Sequence, residues 1–182
     1  RDLGGRVTII SSDKDLMQLV GGGVEMLDAM KNRRIDVDGV RAKFGVDPAR
    51  VVDVQALAGD SVDNVPGAPG IGIKTAALLI NEFGSLEALL DRAEEIKQAK
   101  RRETLMTMRE QIEMSKRLVQ LDCNTPLGFT LNDLEVRDPD PDTLLGFLAQ
   151  MEFRTLTKRI AETLGRDAPT LPEPVAQAGE EA

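Results

Sequence analysis

The chain has 182 residues with 31 acidic side chains, 23 basic side chains and no histidine, which gives a net charge of −8. Without histidine, a serine–histidine triad, a histidine general base and the usual zinc ligands are excluded, so catalysis would need carboxylates, lysines or metals. The single Cys123 cannot form an internal disulfide and no apolar run is long enough to span a bilayer. We therefore expect a cytoplasmic protein with no membrane partner.

The first predicted elements belong to an α/β segment. Val7–Ile10 is a β-branched apolar run, typical of a buried strand, and Ser11-Ser12-Asp13 follows it as a helix start. Leu16–Val20 has helical spacing, and three glycines at 21–23 end it. Val24–Leu27 then predicts a second strand.

The remainder of the chain is predicted to be mostly helical, apart from one short strand and a tail. Apolar residues recur every three or four positions over several stretches, and Ser85 is a capping residue that begins a further helix. The charged stretch 100–117 predicts one long amphipathic helix, and 118–121 a short strand. The other predicted helices are Val37–Phe44, Pro48–Ala58, Lys74–Phe83, Leu144–Met151 and Leu156–Leu164. A tail rich in proline, alanine and glutamate begins at Arg166.

The run Asp13-Lys14-Asp15 is the first group that suggests chemistry, because it directly follows a predicted strand. Ligands gather at the carboxyl ends of strands in open α/β sheets, and neighbouring carboxylates repel each other unless a cation compensates them. Hard oxygen ligands of this kind suit Mg²⁺ or Mn²⁺. The alternative is a helix N-cap followed by a favourable acidic first turn.

A second pair of carboxylates, Asp60 and Asp63, lies between Gly59 and Gly67. The residue types there are also those of an ordinary turn. The continuation Pro69–Thr75 favours a ligand, because its two glycines allow close approach of the backbone and the start of a helix binds anions. A nucleotide-binding P-loop is excluded, since isoleucine rather than glycine precedes Lys74. A Gly-Ile-Gly hairpin between helices suits a DNA backbone phosphate.

Three segments together carry a resemblance to a known family. Thr8–Val20, Gln55–Gly67 and Gly70–Ala76 closely resemble the 5'-nuclease (5'-3' exonuclease) domains of bacterial DNA polymerase I. The resemblance extends over roughly residues 5–165. It implies a mostly helical α/β fragment, in which a partial sheet is followed by a helix-three-turn-helix (SAM-domain-like) DNA-binding subdomain.

The resemblance also implies an activity, metal-dependent hydrolysis of DNA phosphodiesters in replication and repair. The implied cofactors are two or more Mg²⁺ or Mn²⁺ ions, held by the catalytic ligands Asp13, Asp15, Asp60 and Asp63. The helix-three-turn-helix at 57–83 would bind the duplex backbone, and K⁺ as well. Its DNA-binding residues would be Gly70, Ile71, Gly72, Lys74 and Thr75.

The same resemblance implies an organisation in three parts. Residues 1–35 would end the nuclease α/β core, 36–165 would form the helical subdomain with closing helices, and 166–182 would lead toward a proofreading domain. The family's amino-terminal acidic cluster and helical arch would precede Arg1, and polymerase domains would follow the tail. We therefore expect a nucleoid-associated fragment that recognises duplex DNA with a 5' flap or 5' end but is inactive alone.

A noncatalytic module that binds the duplex backbone is the alternative function. In that interpretation the hairpin binds DNA while the aspartates only cap and turn. The carboxylates discriminate between the nuclease and the noncatalytic module, because clustered acids repel polyanionic DNA and would weaken a protein that only binds it.

Overall fold

The computed structural model describes residues 4–169, and the predicted tail beyond them, 170–182, lies outside the described residues. The described chain contains three strands, eight α-helices and four short 3₁₀ helices, so the expected mostly helical α/β architecture is confirmed. It divides after Thr125 into two compact units. No helix in the described range is long and apolar enough to cross a membrane.

The sheet consists of β1 (Val7–Ile10), β2 (Val24–Asp28) and β3 (Arg33–Ile35). β1 pairs in parallel with β2, and β2 pairs antiparallel with β3, so β2 is the central strand. The sequence predicts β1 and β2 but misses β3, since a three-residue strand with two exposed arginines has no apolar alternation. The helical run after β1 forms a 3₁₀ helix, Asp15–Leu19.

Four α-helices follow the sheet: α1 (Val37–Phe44), α2 (Val51–Ala58), α3 (Ile73–Phe83) and α4 (Leu86–Asp91). A 3₁₀ turn, Pro48–Arg50, leads into α2. The Ser85 hydroxyl caps α4 by accepting from the Ala88 amide at 3.1 Å, as predicted. Asp36 caps α1 in the same way through the Gly39 amide. These caps satisfy amides that the first helical turn leaves unbonded.

The predicted long helix at 100–117 is two helices, α5 (Ala99–Thr107) and α6 (Arg109–Val119), which break at Met108. The break contains neither glycine nor proline, so no helix-breaking residue marks it, and the helix that follows it, α6, lies along α2. The predicted strand at 118–121 is wrong. Val119 ends α6, and the Leu121 amide donates to the Gln18 side chain instead of a strand partner.

The core of the first unit surrounds α2. Its buried side chains come from the sheet and from α1 to α6, and most are aliphatic. The α2 side chains with no exposed surface are Val51, Val54, Ala56 and Leu57. Burial of this helix on all sides requires that any charge on it be paired.

Asp53 on α2 is such a charge, since only 2% of the residue is exposed. Its carboxylate lies 2.7 Å from the Lys116 ammonium of α6 and accepts from Arg50 and from the Leu86 amide. Lys116 also pairs with Glu87 on α4 at 2.6 Å. One buried carboxylate thus connects α2 with α4 and α6.

The second unit contains the 3₁₀ turn Leu131–Leu134 and the helices α7 (Pro141–Gln150) and α8 (Arg154–Leu164). Both helices are predicted from the sequence, although each begins earlier than its apolar pattern. The Asp140 side chain explains the earlier start of α7, because it caps the helix through the Thr143 amide at 2.8 Å. Leu145, Leu148 and Ala161 are buried in this unit.

We expect Lys116→Met to destabilise the protein by about 2 kcal/mol in urea unfolding. This is less than the roughly 3–5 kcal/mol for breaking a fully buried pair, because a quarter of the Lys116 side chain is exposed. Arg117→Met, at an exposed position of the same helix, is the matched control and should change stability by less than about 0.5 kcal/mol. Equal losses for the two variants would contradict a specific role of the Asp53 pair.

The same pair has a defined pH dependence. Burial lowers the pKa of Lys116, but Asp53 and Glu87 outweigh burial and raise the pKa above its ordinary 10.5. The stabilisation is therefore fully present below pH 10.5 and is lost as the pH rises through the folded-state pKa. Unfolding curves of wild type and Lys116→Met should differ at pH 8 and converge in strong alkali.

Candidate metal centre and nucleic-acid interface

The loop between α2 and α3 carries most of the predicted site residues, and it closes on itself. Gly59 and Gly67 both have positive φ, at 72° and 60°. A Cβ on Gly67 would lie 2.3 Å from the Gly59 nitrogen, so the two backbones are in direct contact. Within this closure, Asp60 and Val65 exchange two backbone hydrogen bonds of 2.9 and 2.7 Å. Only glycine fits where the loop ends meet.

Helix α6 holds the closed loop from outside. The Gly67 amide donates to the Ser115 hydroxyl at 3.1 Å, and the Gln111 side chain donates to the Gly67 carbonyl at 2.7 Å. Sequence reasoning missed both side chains. The available signal was Ser115 itself, which is fully buried and lies on the apolar face one turn after Ile112. A buried hydroxyl needs a partner, and here the partner is the loop.

Three of the four predicted metal ligands come together. Asp15, Asp60 and Asp63 each offer a carboxylate oxygen within 4.8 Å of the others. Asp15 comes from the 3₁₀ turn after β1 and the other two from the loop after α2, so the cluster joins segments about 45 positions apart. Asp60 is buried and Asp63 is exposed.

Asp13 lies outside this group of three. Its carboxylate accepts from the Asp15 amide at 2.9 Å, and the Ser11 hydroxyl accepts from the Asp13 amide at 3.1 Å. This is a local turn and not the helix N-cap that the sequence left open as the alternative, since Lys14 occupies the N-cap position and no side chain caps the 3₁₀ helix. A direct or water-mediated role of Asp13 in metal binding stays a prediction.

Two further side chains, Lys14 and Gln55, contact the cluster and were not predicted. The Lys14 ammonium pairs with Oδ2 of Asp60 and lies 3.9 Å from Oδ2 of Asp63. Gln55 on α2 is 2% exposed and donates its amide hydrogen to Oδ1 of Asp15. The available signals were the position of Lys14 between two candidate ligands and the polar Gln55 within an apolar helix.

The pKa values of the cluster follow from these contacts. The hydrogen-bonding contact with Asp60 raises the pKa of Lys14. Burial works to raise the pKa of Asp60, but the Lys14 ammonium and the Val62 amide outweigh it and the pKa is lowered. Desolvation, followed by the charges of Asp60 and Asp15, raises the pKa of Asp63. The cluster therefore favours a cation beside Asp60.

The donor set fits a hard divalent cation. Oδ2 of Asp60 is buried, and within residues 4–169 the Lys14 ammonium is the group that contacts it. Oδ1 of Asp60 is already fixed by the Val62 amide at 3.1 Å. Carboxylate oxygens are the ligands that Mg²⁺ and Mn²⁺ prefer. Three carboxylates are sufficient to bind one ion but are too few to bind two.

The hairpin continues from the same loop into α3. Gly70 has a φ of 79°, and Ile71 is buried and anchors the turn. Gly72 is exposed, and a Cβ added to it would meet no described atom within 4 Å. Lys74 is exposed and Thr75 is half-buried on the first turn of α3. The first amides of a helix have no intrahelical acceptor, so this turn presents donors to an anion.

Residues 92–117 carry eight basic side chains, and three of them pair with acidic side chains among the described residues. Arg92 forms two hydrogen bonds with Glu95, and Arg109 pairs with Asp91 and Glu113. Lys116 is committed to Asp53, as described above. These three pairs are typical of a solvated surface rather than of a phosphate-binding one.

Comparisons with known proteins concern the family and the fold of the chain. A family model described as 5'-3' exonuclease, C-terminal SAM fold, matches residues 46–142. The chain is 52% identical to DNA polymerase I of Rhizobium leguminosarum over 165 residues, and 36% identical to a 5'-3' exonuclease of Aquifex aeolicus over 157 residues. The T5 D15 protein co-crystallised with metal ions has a similar fold, with a TM-score of 0.58 and 25% identity.

Each match covers a larger share of this chain than of the protein that it matches. The matches cover 91% of this chain but 16% of the Rhizobium protein, and 86% of this chain but 53% of the Aquifex protein. The structural match covers 63% of this chain and 42% of the T5 chain. The chain thus spans about half or less of each of these proteins.

The loop closure can be tested with a matched pair of glycine substitutions. Gly67→Ala should cost about 3 kcal/mol or more, because it combines a positive φ with backbone overlap at Gly59. Gly72→Ala, at a φ of −91° and an open position, should cost under about 1 kcal/mol. Thermal unfolding of both variants measures the difference. Similar stabilities would show that the closure is not needed for the fold.

Proposed function

The chain belongs to the 5'-3' exonuclease family through the C-terminal SAM fold at residues 46–142, and on that premise we propose that it is part of a metal-dependent DNA 5'-nuclease. The main support for this proposal is the cluster of Asp15, Asp60 and Asp63, which come from two separate segments of the chain. The loop that supplies two of these carboxylates continues directly into a hairpin suited to phosphate. One loop would thereby connect the carboxylates at the reacting phosphodiester with the hairpin that binds the duplex backbone.

Each carboxylate has its own part in this proposal. Asp60 would be the fixed ligand, since the Val62 amide holds one of its oxygens and the other contacts the Lys14 ammonium. Gln55 orients Asp15 by donating to one of its oxygens. Asp63 is exposed and faces the solvent side from which a substrate approaches. Asp13 would act through water.

The proposed cofactors are Mg²⁺ or Mn²⁺. When bound, such ions activate water and stabilise the charge that develops on the phosphate and the leaving oxygen. A two-ion centre needs more carboxylates than this cluster holds, so we propose that further ligands lie outside it. The similar T5 protein was co-crystallised with metal ions.

Duplex DNA with a 5' flap or free 5' end is the proposed substrate. The first amides of α3, together with Gly70, Ile71, Gly72, Lys74 and Thr75, would hold backbone phosphates of the duplex without reading bases. K⁺ is proposed at the same helix-three-turn-helix. We keep the proposed division into 1–35 as the end of the nuclease core, 36–165 as the helical subdomain and 166–182 as a linker.

A noncatalytic duplex-binding module is the second candidate, and one observation favours it. Lys14 compensates part of the negative charge of Asp60 and Asp63. The cluster nevertheless sets three carboxylates against one ammonium, an excess of negative charge that a purely structural ion pair does not explain. Cleavage assays distinguish the two functions.

We expect the chain alone to cleave a 5'-flap duplex no faster than its Asp60→Asn variant, in either Mg²⁺ or Mn²⁺. Losing ligands on one side leaves ions weakly bound and the phosphate unaligned. Supplying the amino-terminal half of a relative's nuclease domain as a separate polypeptide should produce cleavage that Asp60→Asn abolishes and Asp38→Asn leaves intact. Robust cleavage by the chain alone, lost in Asp60→Asn, would show that this cluster suffices.

Lys74→Ala should weaken duplex binding and lower the slope of log affinity against log salt by about one unit, because one phosphate contact is removed. Gly72→Val should weaken binding more, since a branched side chain blocks backbone approach. Lys158→Ala on α8 makes the same charge change at another exposed position and should alter neither quantity. Fluorescence anisotropy over a salt series measures all three, and an unchanged slope for Lys74→Ala would exclude a direct phosphate contact.

A further inference from the structure

Lys14 occupies an unusual position between its neighbours. It follows one candidate ligand, Asp13, and precedes another, Asp15, yet its own side chain turns to the loop after α2. There its ammonium contacts Oδ2 of Asp60 and lies 3.9 Å from Oδ2 of Asp63. Among residues 4–169, Lys14 is the cation that pairs with these two carboxylates.

The oxygen that Lys14 contacts is the one that a metal ion would need. Oδ2 of Asp60 is buried and contacts the Lys14 ammonium, while Oδ1 is already bonded to the Val62 amide. A divalent ion would bind that oxygen at about 2.1 Å. An ammonium in contact with the same oxygen would then lie beside a doubly charged ion, and the two would repel each other strongly.

Without any cation, however, the cluster would be unfavourable. Three carboxylates with oxygens within 4.8 Å of one another repel, and the Asp60 carboxylate is buried. Lys14 is attached to the same turn as Asp15, so it supplies a positive charge at a fixed place without an entropy cost of binding. About 29% of its side chain is exposed, which leaves a path by which the ammonium can move to solvent.

We propose that Lys14 is a tethered counter-cation that holds the metal-free carboxylate cluster together and is displaced when a divalent ion binds, so that it sets the metal affinity of the site. The inference rests on the proposed metal centre. Lys14 is then a positioning residue with two effects: it holds the carboxylates in place before metal binds, and it lowers the metal affinity because it competes for the same oxygen.

The test measures Mn²⁺ binding to the full 182-residue chain. The readout is the decrease of the free Mn²⁺ signal in electron paramagnetic resonance. Lys14→Met should bind Mn²⁺ at least about fivefold more tightly than wild type, because the competing charge is gone. Lys14→Arg keeps the charge and should bind no more tightly than wild type. Without metal, Lys14→Met should have a lower melting temperature, and Mn²⁺ should raise that temperature by more than in wild type.

Lys43→Met is the matched control for charge alone. Burial, followed by the charge of Lys14, lowers the pKa of Lys43, so the two ammonium groups belong to one electrostatic neighbourhood. Lys43 makes no ion pair with the three carboxylates in the described chain. An affinity gain in Lys43→Met equal to that in Lys14→Met would overturn the inference, because displacement would then be unnecessary.

The outcomes separate this inference from the proposed function. If neither wild type nor Lys14→Met binds Mn²⁺ better than Asp60→Asn, the metal centre itself is wrong and the inference falls with it. If wild type binds and Asp60→Asn does not, but Lys14→Met binds no more tightly, only the role of Lys14 is wrong.

A measurement on wild type avoids any folding defect of the variants. In protein labelled with ¹³C-lysine, the Cε resonance of Lys14, assigned by its absence in Lys14→Arg, should shift on titration with Mg²⁺. The shift should saturate with the same midpoint as metal binding, while the Lys158 resonance stays in place. A Lys14 resonance that does not move while Mg²⁺ binds would exclude displacement.

Discussion

The contact between the backbones of Gly59 and Gly67 is the constraint on which the rest of the site depends. It forces the chain that leaves α2 to return before it begins α3, and the two hydrogen bonds between Asp60 and Val65 form inside this return. Asp60 is thereby directed toward the end of β1, while Gly70 and Lys74 are carried to the beginning of α3. Ser115 and Gln111 of α6 then fix the closed loop against the core.

Two buried carboxylates near this constraint illustrate how structural and functional charges differ. Asp53 has Lys116, Arg50 and a backbone amide around it, so its oxygens have partners within the fold. Asp60 has one oxygen satisfied by an amide and another that meets only the ammonium of Lys14. The first arrangement is complete as it stands and holds helices together. The second sets three carboxylates against one ammonium, which is typical of a site rather than of a scaffold.

The sequence predicts the elements whose apolar pattern is strong, and it predicts three members of the carboxylate cluster by residue type and position. It could not separate Asp13 from Asp15, because both follow the same strand and only the 3₁₀ turn decides which side chain reaches the loop. It also missed Lys14 and Gln55, whose roles arise from contacts across 40 or more positions. The break at Met108 was not predicted either, because neither glycine nor proline marks the end of α5.

The closed loop also restricts how this region can change during evolution. A surface loop ordinarily tolerates insertions because its ends are free to adjust. Here the ends at 59 and 67 touch through backbone atoms, and the interior is bonded across at Asp60 and Val65. An added or deleted residue between the two glycines would disrupt the bonds from the Val62 and Val65 amides that fix Asp60. Drift among relatives should therefore proceed by substitution at exposed positions such as Ser61 and Val62, with the number of residues between the two glycines held constant.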